Sequence, residues 1–125
     1  MSAYTNSSFG RSFGFDGQMA PCCSYELLTA AVDTARRMNQ SLAVGSIFTS
    51  DCFYDELQNQ KALSNMGVLA VEMETAALYL TAARFGKQAL ALLTITDDPA
   101  TGEGLTAAER QDTLSAMISI ALEIA

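Results

Sequence analysis

Two short runs constrain this chain more than any other feature. Val68-Leu69-Ala70-Val71 follows Gly67, and Ala89 to Ile95 lies just beyond Gly86; each carries apolar residues at nearly every position. A strand that is apolar on both faces is one covered on both sides, as in parallel sheets flanked by helices. Between the two runs, Thr75 to Phe85 is apolar almost all round, with Arg84 its one charge. Such a helix is buried or packed on two sides, and Gly86 is suited to terminate it.

The rest of the pattern alternates in the same way. Residues 1–24 read as loop, punctuated by Ser, Asn and Gly, with Phe9, Phe13 and Phe15 scattered along it and Pro21 near its end. A loop of this kind is either mobile or held against a larger body. Ser24 can cap a helix whose apolar face is Leu27, Leu28, Ala31, Val32 and Ala35, with Arg36 and Arg37 in its last turn and Asn39 as its stop. Leu42 to Phe48 reads as a strand, and Glu56 to Asn65 as a weaker helix. Thr106 and Glu109 form a T-x-x-E capping box ahead of a helix with Leu114, Met117, Ile118, Ala121 and Leu122 on one face. Helix, strand, short helix, strand, helix, strand, helix argues an α/β sandwich with a largely parallel sheet.

Composition removes several classes of function. The 125 residues allow one small domain. There is no His, which removes Ser-His-Asp triads, Cys-His pairs and His-ligated metals, and no metal site is expected. A formal charge of −7 without basic runs argues against nucleic-acid binding. No apolar run approaches the ~20 residues of a membrane span, and no leader is visible, so a cytoplasmic protein is expected. Cys22, Cys23 and Cys52 lack metal or disulfide spacing and are expected to be small buried residues in a reducing compartment.

In open α/β sheets ligands bind beyond the carboxyl ends of the strands. Both apolar runs end in acids there: Glu72-Met73-Glu74 after one and Thr96-Asp97 after the other. A carboxylate at such a place can accept hydrogen bonds from the vicinal hydroxyls of a pentose. For Glu74 the alternative is favourable placement at a helix N-terminus. Asp97, if partly enclosed, would hold a proton near neutrality as a general acid does; the alternative is an Asp that starts the turn before Pro99. Arg110 stands in the first turn of the last helix, the wrong end for a cation. A partner among Glu109, Glu103 and the Asp97–Asp98 loop would explain it, and the alternative is a solvated surface role. Phe53-Tyr54 can stack on a planar ligand or fill a core. No phosphate-binding glycine motif is present.

These residues carry a resemblance. Val71-Glu72-Met73-Glu74, Thr94-Ile95-Thr96-Asp97 and Thr106-Ala107-Ala108-Glu109-Arg110-Gln111, in this order, closely resemble the bacterial, hexameric, DeoD-type purine nucleoside phosphorylases. Ser2-Ala3-Tyr4-Thr5-Asn6-Ser7, Val44-Gly45-Ser46 and Ser50-Asp51-Cys52-Phe53-Tyr54 extend the likeness over nearly the whole chain. The resemblance implies a three-layer α/β/α fold of the nucleoside phosphorylase/hydrolase type. It also implies phosphorolysis of purine (deoxy)ribonucleosides to free base and pentose 1-phosphate, with inorganic phosphate as co-substrate, no cofactor, and a homo-oligomer, hexameric in the intact family.

By the same resemblance, Asp97 is the acid that protonates purine N7 and Arg110 the arginine that assists it. Glu74 holds the ribose hydroxyls, Met73 packs on the sugar, and Val71 and Glu72 flank base and sugar. Phe53 stacks on the base, and Thr96 lies beside it where the family usually has Ser. Asp98 stands where the family usually has His. The family subunit is about twice as long, with its phosphate site in the first half. Residues 1–125 are therefore expected to form a single partial domain, inactive alone and prone to aggregate through uncovered apolar faces. Two alternatives are a non-catalytic remnant and a methylthioadenosine/S-adenosylhomocysteine-type nucleosidase, which uses water; the motif around Arg110 favours the phosphorylase.

Overall fold

The first residues of the chain do not form a loop. In the computed structural model, which describes residues 1–53, 60–98 and 101–125, strand β1 runs over Ala3–Thr5 and pairs in parallel with β2, Ile47–Thr49. β2 pairs in parallel with β3, Val71–Glu72, so the sheet order among the described residues is β1-β2-β3. The ladder extends past the strand ends: the Leu69 N–H donates to the Ser46 carbonyl (2.8 Å), and the Ser50 N–H to the Glu72 carbonyl (2.8 Å). On its other side β1 is met by residues 21–23. The Ala3 N–H donates to the Pro21 carbonyl (2.9 Å), and the Cys23 N–H to the Met1 carbonyl (3.0 Å). The segment expected to be loop is thus partly strand and is tied down at both ends. Its Ser and Asn content hid a strand of only three residues, because periodicity cannot register so short an element.

The chain divides into two compact units, one formed by Met1–Tyr25 with Ala43–Leu90, the other by Glu26–Leu42 with Ala91–Ala125. In the first, helix α2 (Gln60–Asn65) precedes β3, and helix α3 (Thr75–Arg84) follows it. α3 packs against β1. Its buried face is Thr75, Ala76, Tyr79 and Leu80, and Ala3 is fully buried. The small Ala side chains let helix and strand come close, while Tyr79 and Leu80 supply apolar area. The helix is not buried all round, since Leu78 is exposed. α3 stops where Gly86 takes a positive φ of 61° and the Lys87 N–H reaches back to the Ala82 carbonyl (2.8 Å). Among the described residues the Val68–Val71 run is not central either: β2 is, and Leu69 and Val71 are exposed.

The second unit holds most of helix α1 (Tyr25–Arg37), a hairpin of β4 (Asp97–Asp98) and β5 (Glu103–Gly104), and helix α4 (Ala107–Ile124). Among the described residues, Ala31, Thr34 and Ala35 of α1 and Ile120 of α4 are buried in it. Arg37 pairs with Glu123 at 3.6 Å. Asn39 ends α1 as expected, with φ 53° and the Gln40 N–H bound to the Ala35 carbonyl (2.8 Å). The capping box at α4 is also formed: Thr106 Oγ1 accepts from the Glu109 N–H, and Glu109 Oε2 from the Thr106 N–H.

The run Ala89–Ile95 belongs to neither sheet among the described residues. Pairing starts at Asp97, and it is antiparallel, to β5. The three cysteines are free thiols, with Cys22 and Cys52 exposed rather than buried. Tyr54, Pro99, Ala100 and the first four residues of the helix expected at Glu56–Asn65 lie outside the described residues. Among the described residues no helix is long and apolar enough to cross a membrane.

Candidate active site

Each unit presents one acidic cluster. In the first, β2 and β3 end side by side, with Thr49 opposite Glu72 in the register. The chain then bends through Met73 and Glu74 into α3. The first backbone N–H groups of a helix have no partner within it. Here the Glu72 carboxylate supplies one: its Oε2 accepts from the Glu74 N–H (2.7 Å) and the Thr75 N–H (2.6 Å). Its Oε1 accepts from the Thr49 hydroxyl, and that same hydroxyl accepts from the Ala76 N–H (3.0 Å). Thr49 is buried, and its carbonyl accepts from Thr5 Oγ1 (2.9 Å). Burial works to raise the Glu72 carboxyl, and the hydrogen bonds from Thr49, Glu74 and Thr75 outweigh it, so its pKa lies below the usual carboxylate value.

Glu74 is placed differently. It is the residue that leads into α3, yet its side chain makes no capping bond. Its Oε2 accepts from the Met73 N–H at 3.3 Å, and the residue is exposed. Glu74 keeps its place beside the helix N-terminus, while the carboxylate that accepts from the N–H groups there is that of Glu72. Val71, Met73 and Phe53 are exposed as well, Phe53 at 80%. Phe53 is therefore no core filler.

In the second unit Asp97 is held from two sides. Arg110 Nη2 donates to its Oδ1 at 2.7 Å, and Thr96 Oγ1 to its Oδ2 at 2.7 Å. Arg110 is fixed in turn, its Nε donating to the Leu105 carbonyl at 2.9 Å. The cation at the wrong end of its helix thus has its reason: of the partners considered, it takes Asp97. The pair is not enclosed, with side chains 49% and 51% exposed. Gly104 lies opposite Asp97 in the hairpin, and a Cβ there would come within 2.7 Å of Asp97 Oδ1. The missing side chain leaves room for the carboxylate to meet Arg110.

The clusters suit different chemistry. The Glu74 carboxylate, exposed beside a helix N-terminus, can accept hydrogen bonds from neighbouring hydroxyls. The Asp97–Arg110 pair joins a carboxylate to a guanidinium through a charge-assisted hydrogen bond, without the enclosure expected for Asp97. Among the described residues no group of three or more His, Cys, Asp or Glu is placed to hold a metal ion. Thr49 is the residue that sequence reasoning missed. Its only signal was a hydroxyl residue closing an apolar run, which is common in surface turns.

The phosphorylase superfamily family model matches residues 2–125. The chain is 47% identical over 122 residues to a DeoD-type purine nucleoside phosphorylase of Bacillus velezensis, an alignment covering 98% of this chain and 53% of that protein. It is 45% identical over 125 residues to the DeoD-type enzyme of Anoxybacillus flavithermus, covering 100% of this chain and 53% of that protein. A crystal structure of purine nucleoside phosphorylase from Toxoplasma gondii, in complex with immucillin-H, superposes with a TM-score of 0.81 at 17% identity, over 98% of this chain and 52% of that one. That likeness shows the nucleoside phosphorylase α/β fold. The chain spans about half the length of the curated relatives it matches. By the family model and by the identity to these relatives, the chain belongs to the phosphorylase superfamily.

Proposed function

We propose that residues 1–125 are the second half of a purine nucleoside phosphorylase domain, carrying its sugar-binding and base-protonating groups. The reaction replaces the N-glycosidic bond of a purine (deoxy)ribonucleoside with a bond to inorganic phosphate, giving free base and pentose 1-phosphate. A purine anion is a poor leaving group, so proton donation to its N7 lowers the barrier while C1′ becomes oxocarbenium-like. Asp97 donates that proton and Arg110 assists. Glu74 accepts from the pentose hydroxyls, Met73 packs on the sugar, Phe53 stacks on the base, and Val71 and Thr96 flank it. Phosphate is the co-substrate, held by residues outside this chain, and the working form is a homo-oligomer.

The observation that carries this reading is the Asp97–Arg110 pair at 2.7 Å, with Arg110 anchored on the Leu105 carbonyl. A residue with no structural reason to be cationic has its charge on the proposed acid. The names of the relatives support the substrate class.

The test is release of hypoxanthine from inosine. The 125-residue chain alone is expected to release none. Co-expressed with the first half of the Bacillus velezensis relative, it is expected to release base only when phosphate is present, and Asp97→Asn is expected to abolish that. Release independent of phosphate would replace the phosphorylase with a nucleosidase. A folded, soluble pair that releases nothing would favour the non-catalytic remnant.

A further inference from the structure

The resemblance sets Glu72 and Glu74 together against the substrate, but the structure divides them. Both Glu72 oxygens are engaged within the protein: Oε1 with the Thr49 hydroxyl, Oε2 with the Glu74 and Thr75 N–H groups. Among the described residues Glu74 has only its neighbour's N–H at 3.3 Å, and it is exposed. Thr49 joins four elements. Its carbonyl takes the β1 hydroxyl of Thr5, its own hydroxyl lies between β3 and α3, and its Oγ1 accepts from the Ala76 N–H. A buried hydroxyl that both donates and accepts has little freedom to rotate, so it fixes the carboxylate it binds.

We infer that Glu72 is a positioning residue and not a substrate ligand, and that Thr49 holds it so that the 73–74 bend presents Glu74 alone to the pentose. This rests on the phosphorylase reading for the identity of the sugar, but the relay itself stands on contacts within one unit. The fixed bend replaces the freedom that an exposed turn of this length would have, so less ordering is left to be done when a ligand binds. Thr49 thereby becomes a residue on which pentose binding depends without touching the pentose.

The test uses the chain co-expressed with the first half of the Bacillus velezensis relative, with inosine as the probe, and reads carboxylate resonances and amide exchange by NMR. Inosine is expected to shift the Glu74 carboxylate and leave that of Glu72 in place. Thr49→Val keeps the shape and removes the hydroxyl. It is expected to speed exchange of the Glu74, Thr75 and Ala76 amides about tenfold and to weaken inosine about tenfold. Thr49→Ser, which restores the hydroxyl, is expected to restore both. If Thr49→Val does not fold, Glu72→Gln is read for the same amides. A Glu72 resonance that moves with inosine as far as that of Glu74 overturns the inference. So does unchanged exchange in both variants, or a Ser variant that rescues neither property. If the folded pair binds no inosine, the nucleoside reading fails, and the exchange data alone decide whether Thr49 and Glu72 fix the bend.

Discussion

The Glu72–Glu74 bend and the Asp97–Arg110 hairpin present carboxylates by opposite means. At the bend, a half-buried carboxylate is locked by backbone N–H groups and a buried hydroxyl. At the hairpin, a half-exposed carboxylate is held by the side chains of Thr96 and Arg110. Backbone donors at a helix end cannot move unless the helix frays, whereas an exposed guanidinium can exchange its carboxylate contact for water while its Nε stays on the Leu105 carbonyl. A group that binds sugar hydroxyls gains from a fixed support, and a group that gives up a proton gains from a cation whose contact can change. The two constructions match the two tasks proposed for them.

The largest expected effect breaks the hairpin's chemistry and leaves its structure alone. Asp97→Asn in the enzyme rejoined with a first half should lower phosphorolysis by about 10²–10⁴-fold, the usual value of a positioned acid. Because the side chain is half exposed, stability should change by no more than about 0.5 kcal/mol. Single-turnover kinetics and a thermal melt measure the two. The bend should respond in the reverse way. Thr49→Val leaves the Ala76 N–H and a Glu72 oxygen without their partner, and should cost about 1–3 kcal/mol in a urea titration.

That contrast also shows what the residue pattern could and could not carry. The α4 capping box, the Asn39 stop and the Gly86 stop were legible because each is a local signal, set within a turn or two of helix. That Arg110 has an acidic partner was legible because a cation in a first helical turn needs a reason; which of the candidate acids it takes was not. Strand membership was not. β1 is three residues long and pairs with residues 44 positions away, and the apolarity of Ala89–Ile95 specifies burial but no neighbour. The division between Glu72 and Glu74 was legible only in part, since a turn into the helix there would let one of the two reach a ligand without saying which. On an extended backbone they point the same way, and only the bend into α3 separates them.

Acid should separate the two regions further. Hydrogen bonds hold the folded-state pKa of Glu72 below its ordinary value. A depressed carboxylate contributes stability that is fully present above the unfolded pKa of about 4.3 and is lost as pH falls through the folded value. Urea midpoints taken from pH 7 down to pH 3 should therefore fall on the acid side. Glu72→Gln should start less stable at pH 7 and fall less steeply. Glu109 is also held below the ordinary value, by the Thr106 N–H and hydroxyl, so a residual acid slope should survive in Glu72→Gln and flatten further when Glu109→Gln is added.

The smallest expected effect is the sharpest comparison. A double-mutant cycle on Asp97 and Arg110 should give a stability coupling below about 1 kcal/mol, shrinking further in about 1 M salt, because both side chains are half exposed and screened. The same cycle on Thr49 and Glu72 should exceed it and hold in salt, since one partner is a buried neutral hydroxyl. Equal couplings would mean that the hairpin is fixed as firmly as the bend. Arg110 would then be a structural anchor of α4 and not an assistant to proton transfer. Unequal couplings in the expected order would make the Asp97–Arg110 contact the weaker of the two, which is what a residue that must release and re-engage its acid requires.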